Sequence, residues 1–209
     1  QFEQRVSQEE SRLLQSRYQA NAKRGFSVAQ INWGTDFSIP FRPDECFLAE
    51  KQISVSAAKN EKKLLLLALN NFSPKTIEYR VSLENDRAQY NGQAGLAGFP
   101  AEKIEIRRGV RIRESDGAAP AELYDPMVTL NDAGIISVPP QEAVPLSIDF
   151  DTAGVAPGEY RGKLRIIPLD QSGKFISVNG SFNRRDYSGP MLDLPITLTI
   201  LPLLSLIHI

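Results

Sequence analysis

Two alternating apolar runs joined by one proline- and glycine-marked crossing, PLSIDFDTAGVAPGEYRGKLRIIPLD from Pro145 to Asp170, restrict this chain more than any other stretch. Leu146, Ile148 and Phe150 fall on one parity before the crossing, and Tyr160, Leu164 and Ile166 share one parity after Pro157-Gly158. A period of two marks a strand with one buried face. Pro157 presets its backbone angle and Gly158 is free to take a left-handed conformation. Tyr160 is then expected to enter the core at the head of the second strand.

The flanking sequence repeats the pattern. KQISVSAA, KLLLLALNN and TIEYRVSL read as a strand, turn, strand, turn, strand meander, broken at Lys59-Asn60-Glu61-Lys62 and at Asn71-Phe72-Ser73-Pro74. Leu64 to Leu67, apolar on both parities, predict a strand buried on two sides, whereas Ile77, Tyr79, Val81 and Leu83 alternate as a one-sided strand does. GFSVAQINW is a first extended segment, followed by a connector bearing Pro40 and Pro43. NGQAGLAGFP is expected to be a mobile loop, because Gly92, Gly95 and Gly98 miss the spacing of a phosphate cradle. Ile104, Ile106, Val110 and Ile112 share a strand face, with Arg107, Arg108, Arg111 and Arg113 crowded among them. Glu102, Glu105 and Glu114 are close enough to neutralise these arginines, so a solvated face is preferred to a basic patch for an anionic glycan. AAPAELYDPMVTL reads mostly as loop, Asp170-Gln171-Ser172-Gly173 as a hairpin turn and KFISVNGSF as a strand. In LDLPITLTILP every second residue from Leu192 to Ile200 is apolar, and Pro195 places the strand at an edge or delays its pairing until after that point. Roughly eight or nine such strands without intervening helices predict a mainly β, antiparallel, immunoglobulin-like Greek-key sandwich.

Ahead of it, Phe2 to Arg24 lack proline and glycine and place Val6, Leu13 and Ala20 at heptad spacing. This predicts an N-terminal amphipathic helix ending at Gly25, with Lys23 and Arg24 suited to its carbonyl end. A linker helix is preferred to a coiled coil, which wants more clean heptads. The expected division is a helical leader over 1–25, a sandwich over 26–202 and a tail over 203–209 leading to a following domain. The missing initiator methionine and the apolar tail LPLLSLIHI suggest a portion of a longer polypeptide.

The chemistry the residues offer is sparse. A net charge of −1 with no basic stripe argues against a nucleic-acid partner. No apolar run is long enough to span a membrane. One cysteine, Cys46, and one histidine, His208, cannot build a zinc site, and His208 lies in the tail, where a nucleophilic triad would not be built. Asp149 and Asp151, two apart at a strand end, are turn formers more often than calcium ligands or a catalytic pair. No catalytic residue, cofactor or metal is predicted. Trp33, Tyr124, Tyr160 and Tyr187 are the aromatic candidates for a sugar-stacking surface; a core role is the commoner fate of the single tryptophan, Trp33.

Four segments, in order, resemble the N-terminal β-sandwich domain that precedes the catalytic barrel in glycoside hydrolase family 123 and its relatives. They are the alternating strand closing on Ala57-Ala58 with Asn60-Glu61 and the apolar strand to Leu69-Asn70-Asn71; Tyr124-Asp125-Pro126-Met127; Ala156-Pro157-Gly158-Glu159-Tyr160-Arg161-Gly162; and Leu194 to Pro202. The resemblance implies a non-catalytic accessory domain of a bacterial extracytoplasmic protein. Its partner would be an adjacent catalytic domain of the same polypeptide, where the family's acid residue and its substrate-assisted chemistry on N-acetylgalactosaminides lie. A carbohydrate-binding module using the four aromatics is the alternative.

Overall fold

A computed structural model describes residues 25–31, 52–85, 95–113, 122–131, 133–169, 177–178, 181–182 and 191–204. The expected N-terminal helix, Trp33, Cys46, Tyr187, His208 and the Asp170–Gly173 turn lie outside these residues. Two five-stranded sheets face each other. The first has the order β1 (Phe26–Gln30), β3 (Lys62–Asn71), β8 (Ala143–Asp151), β5 (Ile104–Arg113), β6 (Glu122–Thr129). The second has the order β2 (Ile53–Lys59), β12 (Leu192–Leu204), β9 (Gly158–Leu169), β4 (Ile77–Glu84), β7 (Ile135–Val138). The predicted immunoglobulin-like β-sandwich is the fold. Its pairing is antiparallel except between β2 and β12, which run parallel; the connection from Lys59 to Leu192 is long enough to permit that.

The predicted meander does not form. β2, β3 and β4 belong alternately to the second, first and second sheets, so none is bonded to the next. Their connectors cross the sandwich instead of turning within a sheet, and Asn60, at φ 61°, makes the first of these crossings sharp. The long apolar strand behaves as expected: Leu65 to Asn71 of β3 are all buried. Leu65, Leu67 and Leu69 share the core with Val144, Leu146, Ile148 and Phe150, and in the β3–β8 register they stand directly opposite Ile148, Leu146 and Val144. From the second sheet come Ile53 and Val55, Tyr79, Val81 and Leu83, Leu164 and Ile166, and every second residue from Leu194 to Ile200.

Three other expectations are corrected. Glu122–Thr129 is a strand despite Pro126, because it is an edge strand whose ladder with β5 is bulged between Gly109 and Arg111, where a missing N–H costs no bond. Within KFISVNGSF the described backbone is two short antiparallel strands, Ser177–Val178 (β10) paired with Ser181–Phe182 (β11), in place of the single strand expected. Finally, β12 is not an edge. The alternative expectation, pairing delayed past Pro195, holds on one side: Pro195 opposes Lys163 of β9, while pairing to β2 begins at Ile196, one residue beyond the proline.

The crossing from β8 to β9 passes from the first sheet to the second, as the opening motif predicts. Gly158, which opens β9, takes the expected positive φ at 154°, and Gly154, at φ 70°, is a second such position. Thr152, fully buried, ties this crossing to the β2–β3 turn. Its amide donates to the Glu61 carbonyl at 2.9 Å and its hydroxyl accepts from the Glu61 amide at 2.7 Å. The hydroxyl proton has the Ala58 and Glu61 carbonyls within 2.8 and 2.9 Å. At the other end of β3, Asn71 does similar work: its side-chain nitrogen lies 2.8 to 3.1 Å from the carbonyls of Lys75, Val138 and Pro139, and its oxygen accepts from the Ser73 amide at 2.9 Å.

Candidate functional site

Two of the four aromatic candidates are described, and the fold does not bring them together. Tyr124, on β6, is 4% exposed. It packs beside Gly109 of β5, where an added Cβ would stand 2.6 Å from Pro145 of β8 and 3.1 Å from the Tyr124 Cβ. Glycine at 109 therefore lets the tyrosine and the proline close over the strand. The Tyr124 hydroxyl lies 3.4 Å from a Glu142 carboxylate oxygen, and burial, reinforced by that carboxylate, pushes its pKa up to about 12. A ring so enclosed offers no open face for a sugar.

Tyr160 sits at the head of β9, in the other sheet and half-buried. Its hydroxyl donates to the Ala156 carbonyl at 2.6 Å, closing the crossing on itself. Its ring meets Phe99 edge-on, with centroids 5.3 Å apart, and Phe99 in turn meets Phe150 of the first sheet at 6.2 Å. Phe99 thus bridges the sheets at one end of the sandwich. The segment expected to be mobile is, from Gly95 onward, a packed plug with Leu96 and Phe99 buried. Gly95 donates to the Leu83 carbonyl and Ala97 to the Arg161 carbonyl, both at 2.8 Å. Gly162, the last residue of the Pro157–Gly162 motif, is required by this plug: a Cβ there would lie 2.7 Å from the Glu84 carbonyl and 2.8 Å from Leu96. The spacing of Leu96 and Phe99 was the available signal for the plug, obscured by the glycines between and around them.

The charged residues form two clusters on the outward faces. On the first sheet Glu105 directly opposes Asp149 in the β5–β8 register. Arg107 hydrogen-bonds Glu105, and its Nε is 3.4 Å from Asp149. Thr129 also donates to Glu105. These bonds hold the Glu105 carboxyl below its ordinary value, the one from Arg107 foremost, while burial raises that of Asp149 against the pull of Arg107. The predicted neutralisation of the arginines thus holds for Arg107. Asp151 is the turn former expected of it, its carboxylate accepting from the Ala153 amide at 2.9 Å. On the second sheet, unanticipated from the sequence, Arg165 of β9 is 7% exposed. It clasps Asp193 of β12 through two bonds of 2.7 and 2.8 Å and reaches Glu84 of β4 at 2.6 Å. Three neighbouring strands are thereby joined by a planar, bidentate ion pair. Among the described residues no three His, Cys, Asp or Glu side chains group as metal ligands, and no helix is long and apolar enough to cross a membrane.

Neither a protein-family model nor a curated protein matches the chain. Among solved structures, the fold is similar to part of a family 123 glycoside hydrolase from Clostridium perfringens, described for glycolipid glycan hydrolysis, with a TM-score of 0.51 and 13% identity. The match covers 86% of this chain and 28% of that one, so this chain spans little over a quarter of the enzyme's length. Weaker likenesses reach a PapD-like domain of human CEP192, at TM-score 0.39, 8% identity and 85% and 86% of the two chains. A Salmonella enterica complex of the SafA pilin with the SafB chaperone follows at 0.37, 10% identity and 73% and 52% of the two chains.

Proposed function

We propose that this chain is a non-catalytic sandwich domain, residues 26–202, of a larger bacterial extracytoplasmic protein resembling a glycoside hydrolase, where it positions an adjacent catalytic domain. The observation that carries this reading is the fold similarity to part of a family 123 enzyme over most of this chain and a minor share of that one. The disposition of side chains agrees with it. Thr152, Asn71, the Phe99 plug and the Arg165 cluster all tie strands to one another, which is what a rigid spacer needs. At the end of β12, Leu201 and Leu203 are 40% and 65% exposed, beyond the last β9 partner at Ile200, and offer apolar contact to whatever follows.

The burial of Tyr124 weighs against the glycan-binding alternative, which would rest on Trp33, Tyr160 and Tyr187. Two assays test the reading together. The isolated chain should turn over no aryl N-acetylgalactosaminide or other aryl glycoside, and its migration should not be retarded in gels containing soluble glycans. Turnover abolished by a single Asp or Glu substitution would refute the non-catalytic role, and retardation lost in Tyr160→Ala would establish the binding module instead.

A further inference from the structure

Each sheet of the sandwich ends in two edge strands, and three of the four are blunted. β7 and β1 are four and five residues long, and β6 carries Pro126 and a bulge. β2 differs. It has seven residues, Ile-Ser-Val-Ser-Ala-Ala-Lys, with no proline, no bulge of its own and no charge before Lys59. Among the described residues it has a strand on one side only, β12.

The hydrogen bonds at Ala58 show which of its backbone groups face the open side. Ala58 donates its amide to Glu61 Oε2 at 2.6 Å, and the Thr152 hydroxyl lies 2.8 Å from its carbonyl. Neither partner is on β12, so Ala58 turns both groups away from that strand. Because a strand's residues alternate in this respect, Ser54 and Ser56 do the same, while Ile53, Val55 and Ala57 bond to β12. The open edge therefore presents the N–H and C=O of Ser54 and Ser56, and Ala58 beyond them is already capped.

We propose that β2 is a self-recognising edge, through which two copies of this chain pair antiparallel about a two-fold axis at Val55. In that register Ser54 of each copy opposes Ser56 of the other and exchanges both backbone bonds with it, so the open groups of both β2 serines are paired and the Ala58 cap stays intact. A register centred on Ser56 would set Ser54 against the capped Ala58 and forfeit those bonds. Ile53 then opposes Ala57 on the core face. On the outer face Ser54 meets Ser56, both exposed, small and uncharged, so this pair neither repels nor obstructs the approach. The contact is isologous and closes at two copies, and its area is small, so the dimer is weak and reversible.

Sedimentation equilibrium of the full 209-residue chain tests this. The weight-average mass should climb from monomer toward dimer between roughly 10 µM and 1 mM. Ser56→Pro removes an N–H that makes no bond to any described residue, so it should remain monomeric over that range with a melting temperature within about 2 °C of the parent. Should the proline impair folding, Ser54→Lys with Ser56→Lys, at exposed side chains, should abolish association equally. Backbone amides of Ser54 and Ser56 should exchange hydrogen more slowly as concentration rises. A parent monomeric throughout, or a dimer that survives both variants, would overturn the proposal.

Discussion

Replacing Thr152 with valine changes almost no volume and removes one hydroxyl. That hydroxyl accepts from the Glu61 amide at 2.7 Å and donates toward the Ala58 and Glu61 carbonyls at 2.8 and 2.9 Å, at a residue with no exposed surface. The Thr152 amide bond to Glu61 is untouched. Two hydrogen bonds are worth about 1 kcal/mol each net, and stranding the Glu61 amide behind a methyl group adds about 1–2 kcal/mol. The expected loss for Thr152→Val is thus about 3–4 kcal/mol, which lowers the melting temperature of a domain this size by roughly 6–16 °C. Thr152→Ser keeps the hydroxyl and deletes a methyl, for about 1 kcal/mol. Differential scanning calorimetry of the parent and both variants decides the matter. If valine is tolerated as well as serine, the latch between the β2–β3 turn and the crossing does not act through hydrogen bonding.

Tyr160→Ala should cost about 1.5–3 kcal/mol, below the range for a fully buried aromatic, since the ring is only half-buried against Phe99. An unchanged melting temperature combined with lost glycan retention would make Tyr160 a binding residue. Glu105→Gln tests the cluster on the first sheet. Because Arg107 and Thr129 lower the Glu105 pKa from 4.5, ionised Glu105 stabilises the fold above that pH, and the contribution disappears as pH falls through the lowered folded value. In thermal melts the parent should exceed the variant modestly at pH 7, with the gap closing below about pH 4; a gap that widens in acid would contradict the assignment.

Strand identity was legible because it is a local property. Leu146, Ile148 and Phe150, or Leu192 to Ile200, announce a buried face by their spacing alone, and the double-sided burial of β3 followed from its unbroken apolar run. The crossing was legible too, since Pro157 and the glycines permit few paths, although Gly154 adds a second positive-φ position beside Gly158. Of the aromatic candidates, Tyr160 was placed correctly at the head of its strand. The burial of Tyr124 was not legible, because nothing near it in sequence reveals that Gly109 and Pro145 will enclose it.

The sequence by itself determined most of the long core strands, which face of each is apolar and that they close into a sandwich, because a period of two and a shortage of polar core residues leave no other way to bury those side chains; the edge strands β6 and β7, one interrupted by Pro126 and the other only four residues long, carried no such signal. Which strands become neighbours was decided only in three dimensions. The parallel insertion of β12 beside β2, the meeting of Arg165 with Asp193 and Glu84, and the contact of the Thr152 hydroxyl with the Ala58 carbonyl all join residues distant in sequence, and the alternation of β2, β3 and β4 between sheets follows from such pairings. Such contacts form where backbone groups and charges leaving water must find partners, and spacing along the chain carries no record of where those partners will be.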